Sequence, residues 1–103
     1  MLCVHFDPAA LAEMRAAHDW YEDKSSGRGL EFVREVMRRI EHIEERPKAA
    51  RRVEGLETRR DVRRSSLRDF PYGVVYVVIG DVLWIIAIAH GRRRPNYWQA
   101  RLN

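Results

Sequence analysis

Hydrophobic and polar positions change their period several times along the chain, and each change marks an element. Leu2-Cys3-Val4-His5-Phe6 is a run of β-favouring residues and predicts a short strand. Asp7-Pro8 predicts a helix start. Asp7 can accept from the free N–H groups of a first turn, and Pro8 at the first helical position loses no hydrogen bond. Leu11, Met14, His18 and Tyr21 recur at three- and four-residue spacing, which predicts one apolar stripe on a helix from Pro8 to about Lys24. Ser25-Ser26-Gly27-Arg28-Gly29 interrupts it. Val33, Val36, Met37, Ile40 and Ile43 then mark a second helix from about Leu30 to Glu45. Glu31, Glu35, Arg38, Glu41 and Glu45 fall mostly on its other face, and Pro47 ends it. Two helices joined by a short glycine-containing break predict an antiparallel hairpin.

Lys48 to Asp61 is polar and irregular, with a turn expected at Gly55. Val62 to Leu67 alternates as a strand does, and Asp69-Phe70-Pro71 predicts a turn. Tyr72–Ile79 and Val82–His90 are rich in β-branched residues, and Gly80-Asp81 between them suits a tight hairpin. Near-continuous apolarity places both strands centrally in a sheet. The helices would cover one face, and a partner or the C-terminal tail the other. The order β-α-α-β-β-β predicts an α+β fold: an N-terminal strand, a two-helix antiparallel hairpin, then a three-stranded antiparallel sheet. Residues 1–103 are expected to form a single domain.

Charge changes this picture. Residues 1–47 hold seven Lys/Arg and ten Asp/Glu, a net of −3, whereas residues 48–103 hold twelve and five, a net of +7. The positive half clusters around the predicted strands, which points to an acidic partner, a nucleic acid or an acidic protein segment. No apolar run approaches the ~18 residues a membrane helix needs, so no membrane role is expected. Met1–Phe6 lacks the basic region and long apolar stretch of a signal peptide, so the cytoplasm is the expected location. The lone Cys3 has no internal disulfide partner and no local base, and is expected to be a small core or edge residue.

His5, His18, His42 and His90 are scattered without ligand spacing, so no metal and no cofactor is expected. His18 sits on the stripe of the first helix as a core-edge histidine, and His42 faces solvent. His90 ends an apolar strand beside a basic turn. The hairpin brings it near Tyr72, with Arg63 or Arg64 alongside if the Val62 strand pairs next to Tyr72–Ile79. Arg63, Arg64, Arg68, Tyr72, His90, Arg92, Arg93, Arg94, Tyr97 and Trp98 are the candidate binding residues. Guanidinium groups can grip phosphate or carboxylate oxygens in pairs, and aromatic rings can stack on bases or pack on a partner. Tyr97-Trp98 reads first as a packed anchor for the tail, with stacking on a base or a partner helix as its functional alternative.

Arg63-Arg64, Leu67-Arg68-Asp69-Phe70-Pro71-Tyr72-Gly73-Val74-Val75-Tyr76, the apolar strand Val82–Ala89 and then His90-Gly91-Arg92-Arg93-Arg94-Pro95-Asn96-Tyr97-Trp98 resemble the RelE/ParE toxin superfamily. The match is nearest its ParE-like branch of plasmid stabilisation proteins, and it extends over essentially the whole chain. The resemblance implies the toxin of a type II toxin–antitoxin pair, held inactive by a cognate antitoxin encoded beside it. It implies one of two targets. ParE-like members poison DNA gyrase, and RelE-like members cut messenger RNA in the ribosome. Nuclease members typically carry an arginine just before the Val-Tyr pair of the third strand, and here that place is Gly73. If the chain were a nuclease, Arg64 and Arg92 would hold phosphate and His90 or Tyr97 would move the proton, with Lys48, Arg51 and Arg52 in the loop. The incomplete set favours gyrase. A third reading is a toxin-like binding module without toxicity.

Overall fold

The computed structural model describes residues 2–103. It contains β1 (Cys3–Phe6), α1 (Pro8–Lys24), α2 (Arg28–Glu45), β2 (Arg51–Arg52), β3 (Arg63–Ser66), β4 (Tyr72–Ile79) and β5 (Val82–His90), followed by a 3₁₀ turn at Gln99–Leu102. The α+β order is as expected, but the sheet is larger and mixed. Its strands run β1-β5-β4-β3-β2. β1 joins β5 in parallel, with Cys3 opposite Val82 and Phe6 opposite Ile85. Arg51-Arg52, inside the segment expected to be irregular, pairs antiparallel with β3 as a two-residue edge. The parallel pairing follows from α1, which crosses back over the sheet after β1 and lies along β5.

Asp7 caps α1 by accepting from the Ala9 N–H at 2.9 Å. The buried face of α1 is Ala10, Met14 and Ala17, with Leu11 and Tyr21 at its margin, so the stripe is turned from the expected one towards two alanines. Small residues there let the helix lie close to the sheet. α2 begins at Arg28, two residues before the expected start. The Glu22 carboxylate of α1 accepts from the Gly27 and Gly29 N–H groups at 3.0 and 3.1 Å, supplying the cap that the glycine-rich break lacks. These hydrogen bonds hold Glu22 below its ordinary carboxylate pKa. Gly29 also allows the helices to meet: a Cβ there would lie 2.7 Å from the His18 carbonyl.

The face of α2 differs as well. Phe32, Val36, Ile40 and Ile43 are buried, while Met37 and Leu30 face out. Glu35, expected on the solvent side, is buried. One of its oxygens accepts from the Arg68 N–H at 2.8 Å and the other from Arg38 at 2.8 Å, so it ties the end of β3 to the helix.

The two faces of β4 serve two cores. Val74 and Tyr76 meet the helices, and Val75 and Val77 meet a second cluster on the far side. That second face is covered by the tail through Trp98 and Leu102, together with Val53, Leu56 and Val62. Between Val75 and Tyr76 the register slips: Val75 is opposite Ala87 and Tyr76 opposite Ile85, so Ile86 is an extra residue on β5. Ile86 and Ala87 accordingly both face the second cluster, and the alternation reverses beyond them.

Candidate functional site

The end of the sheet where β4 begins and β5 ends is built by aromatic rings. Tyr72 lies opposite His90 in the ladder, and their rings meet edge to face at 4.9 Å. Tyr21 from α1, Phe32 from α2 and Phe70 from the β3–β4 turn pack around them with centroids 5.0 to 6.4 Å apart. The turn holds Phe70 in place because Asp69 takes a left-handed conformation, φ 67°. The His90 Nδ1 accepts from the Arg92 N–H at 3.0 Å, so the neutral ring carries its proton on Nε2. Beside these rings lies a groove of about 600 Å³ between α1 and the strand ends, lined by Glu13, Ala17, Trp20, Tyr72, His90 and Arg93 among others. Trp20 is 57% exposed at its mouth.

At the groove's inner end the Glu13 carboxylate gathers four groups. It accepts from the Tyr97 hydroxyl at 2.5 Å, from Arg101 at 2.9 and 3.0 Å, and from the Ile88 N–H at 3.1 Å. Arg93 approaches to 3.7 Å. Arg93 also stacks on the Tyr97 ring at 3.8 Å. Burial and the hydrogen bond to Glu13 push the Tyr97 phenol up to about 12. The same carboxylate raises Arg101 further above its ordinary range. A phenol in this state donates firmly and is a poor base near neutrality.

The arginines expected to work together do not all share one place. Arg63 is committed to the fold: it donates to the Lys48 and Ala50 carbonyls at 2.9 and 2.8 Å and pairs with Asp61 at 3.1 Å. With the Tyr76 hydroxyl on the Pro47 carbonyl at 2.6 Å, it secures the loop between α2 and β3. Arg68 is exposed on the α2 side, next to Arg38 and Arg39 and away from His90. Arg64 lies across the sheet over Gly73. A Cβ at position 73 would sit 2.6 Å from its Nε, and its Nη2 donates to the Ala89 carbonyl at 3.2 Å. The arginine missing at Gly73 is thus replaced in space by a guanidinium from β3. Arg64, His90, Arg93 and Arg94 line a second hollow of about 290 Å³ with Asn96 and Tyr97, and no carboxylate is among its lining residues. Arg92 and Arg94 are exposed, Trp98 is buried as the tail's anchor, and Cys3 is exposed on the edge strand.

Sequence reasoning missed Glu13 and Arg101, which organise the whole region. The only signal was a carboxylate one position from the buried Met14, and neither residue belongs to a motif.

The N-terminal strand, the two-helix hairpin and the antiparallel strands in a mixed sheet are consistent with the ParE/RelE fold. The chain belongs to the ParE toxin family: the family described as the ParE toxin of the type II toxin–antitoxin system parDE matches residues 4–95. Among solved structures it is similar to a chain of the chromosomal ParDE TA system from P. aeruginosa. The TM-score is 0.72 and the identity 19%, over 87% of this chain and 96% of that one. At that identity the likeness is one of fold. No curated protein matches the chain by sequence.

Proposed function

We propose that this chain, acting as one toxin domain, arrests growth in the cytoplasm by binding DNA gyrase. It does so without chemistry or cofactor of its own, and a cognate antitoxin neutralises it. The observation that carries the reading is the state of Tyr97. Tyr97, one of the two side chains with which a ribosome-dependent nuclease would move the proton, donates a hydrogen bond to Glu13 and has its pKa pushed up to about 12. Gly73 itself does not bear on the choice, because the Arg64 guanidinium from β3 covers that position. What remains accessible is a surface for binding: an aromatic groove beside a basic rim.

The test is to induce the chain without antitoxin and pulse-label DNA and protein synthesis in the first minutes, with purified chain added to a gyrase supercoiling assay. A fall in DNA synthesis first, with inhibited supercoiling, supports the reading. An early fall in protein synthesis with gyrase untouched overturns it.

One observation favours the second reading, messenger RNA cleavage. The hollow lined by Arg64, His90, Arg93 and Arg94 has no carboxylate lining it, which suits a phosphate. Alanine at Arg64, His90, Arg92 and Tyr97 together, with toxicity retained, would remove it.

A further inference from the structure

Arg39 carries a polar atom that the fold leaves unmatched. It lies within the last two turns of α2, and its Nε is buried with no hydrogen-bond partner among the described residues. Buried donors in native proteins are almost always paired, so this one calls for an acceptor that the chain does not supply, a water or an anion. The side chain borders a hollow of about 100 Å³ between α2 and the sheet. Arg39, His42 and Arg46 line it from the helix end, Ser65 from β3, Tyr76 from β4 and Ala50 from the loop into β2. The Tyr76 hydroxyl is committed to the Pro47 carbonyl. That leaves Ser65, itself buried, as the lining residue with a hydroxyl to offer.

No carboxylate lines this hollow. Glu35, Glu41 and Glu45 line a separate one on the other side of Arg39, where Glu35 is already paired with Arg38 at 2.8 Å. Among the described residues neither Arg39 nor Arg46 makes a salt bridge. Arg46 follows the last residue of α2 and offsets the negative charge of that helix end. Arg39 is too far inside the helix for that role, since the effect fades within the last turn. A water would satisfy its Nε but leave two guanidiniums around one small hollow without a counter-charge. Guanidinium donors match the oxygens of a phosphate group, and Ser65 adds a neutral donor from the opposite wall. At ~30 Å³ for each water molecule, the space equals a few waters, enough for one phosphate group and too little for a nucleoside.

We propose that the hollow between α2 and β3 binds an oxyanion of the phosphate class, held by Arg39, Arg46 and the Ser65 hydroxyl. The bound ion joins the end of α2 to β3 beneath the loop into β2. Arg63 holds the same loop through the Lys48 and Ala50 carbonyls. Occupancy therefore steadies the path to the exposed Arg51 and Arg52 of β2. Inorganic phosphate and the terminal phosphate of a nucleic-acid strand share this chemistry.

The experiment titrates the full chain with sodium phosphate at constant ionic strength, sodium chloride making up the balance, and follows the Arg39 side-chain Nε–H and the Ser65 and Ala50 amides by NMR. A saturable shift confined to this region is expected, with a rise in melting temperature. Arg39→Gln should weaken phosphate binding at least tenfold. Arg46→Gln, at an exposed position, should weaken it as well while leaving the fold intact. A short single-stranded DNA with and without a 5′-phosphate separates the two sources. The same shifts at lower concentration with the phosphorylated strand assign the site to a nucleic-acid end, and shifts with inorganic phosphate alone assign it to the free ion. No saturable shift with either probe means that water fills the hollow and overturns the proposal. So does an equal response to sodium chloride alone, or phosphate affinity unchanged in both folded variants.

Discussion

The guanidinium of Arg101 closes on both oxygens of the Glu13 carboxylate, at 2.9 and 3.0 Å, across 88 residues of chain. The pair ties the tail to α1 and, through Ile86 and Ile88, to the outer edge of β5. Glu13→Ala strands a guanidinium and a phenol in a site where Glu13 keeps 14% side-chain exposure. The expected loss in urea unfolding is ~2–3 kcal/mol, below the value for a fully buried pair because water reaches the site. A double-mutant cycle with Arg101→Ala should return a coupling of ~1 kcal/mol or more. A loss below ~0.5 kcal/mol would mean that Trp98 alone holds the tail.

The raised Tyr97 pKa sets a pH dependence at the alkaline end. The folded state holds the phenol proton up to about 12, whereas the unfolded chain releases it near the ordinary phenol value of 10.0. The stabilisation is therefore complete below pH ~10 and is lost as pH rises towards ~12. Tyr97→Phe should make the fall in melting temperature over that interval shallower. Some slope should persist, because burial also raises Tyr21, Tyr72 and Tyr76. An identical slope in the variant would show that Tyr97 titrates normally.

At Gly73 the conflict lies with the movable end of Arg64, not with backbone. Gly73→Ala should therefore fold and displace the guanidinium from the Ala89 carbonyl, costing ~1 kcal/mol. With Arg64→Ala as background the same substitution should cost almost nothing, since nothing remains to displace. Chemical denaturation of the four proteins measures this. Equal costs in both backgrounds would mean that backbone, not Arg64, confines position 73.

Arg63 and Arg94 should separate a structural arginine from a binding one. Arg63→Ala leaves the Lys48 and Ala50 carbonyls without their donor and Asp61 without its partner, so a loss of ~2 kcal/mol is expected. Faster proteolysis between Pro47 and Asp61 should accompany it. Arg94 is exposed and makes no salt bridge among the described residues, so Arg94→Ala should stay within ~0.5 kcal/mol. Its effect should appear in antitoxin or target binding. Equal stability of the two variants would refute the distinction.

The order of elements apart from β2, the Asp7 cap, the hairpin at Gly80-Asp81 and the pairing of Tyr72 with His90 were legible in the sequence, because each rests on neighbours or on a period of two or 3.6 residues. So was the tail anchor at Trp98. Family motifs carried the rest of what could be read, since Phe70-Pro71-Tyr72 and His90-Gly91-Arg92 are local strings. These sufficed for the fold class and the toxin family.

What only tertiary structure decided is which polar groups meet. The arginine clusters of the sequence separate in space: Arg63 turns into a loop, Arg68 faces α2, and Arg64 crosses to Gly73. Glu13 and Arg101 had no pattern to announce them, and Glu35 was placed on the wrong face because periodicity weighs apolar residues and cannot foresee a buried carboxylate with two donors. Strand and helix follow from chemistry within a few residues. The register slip at Ile86, and the meeting of Glu13 and Arg101 on the main chain beside it, exist only once β4, β5, α1 and the tail are packed together.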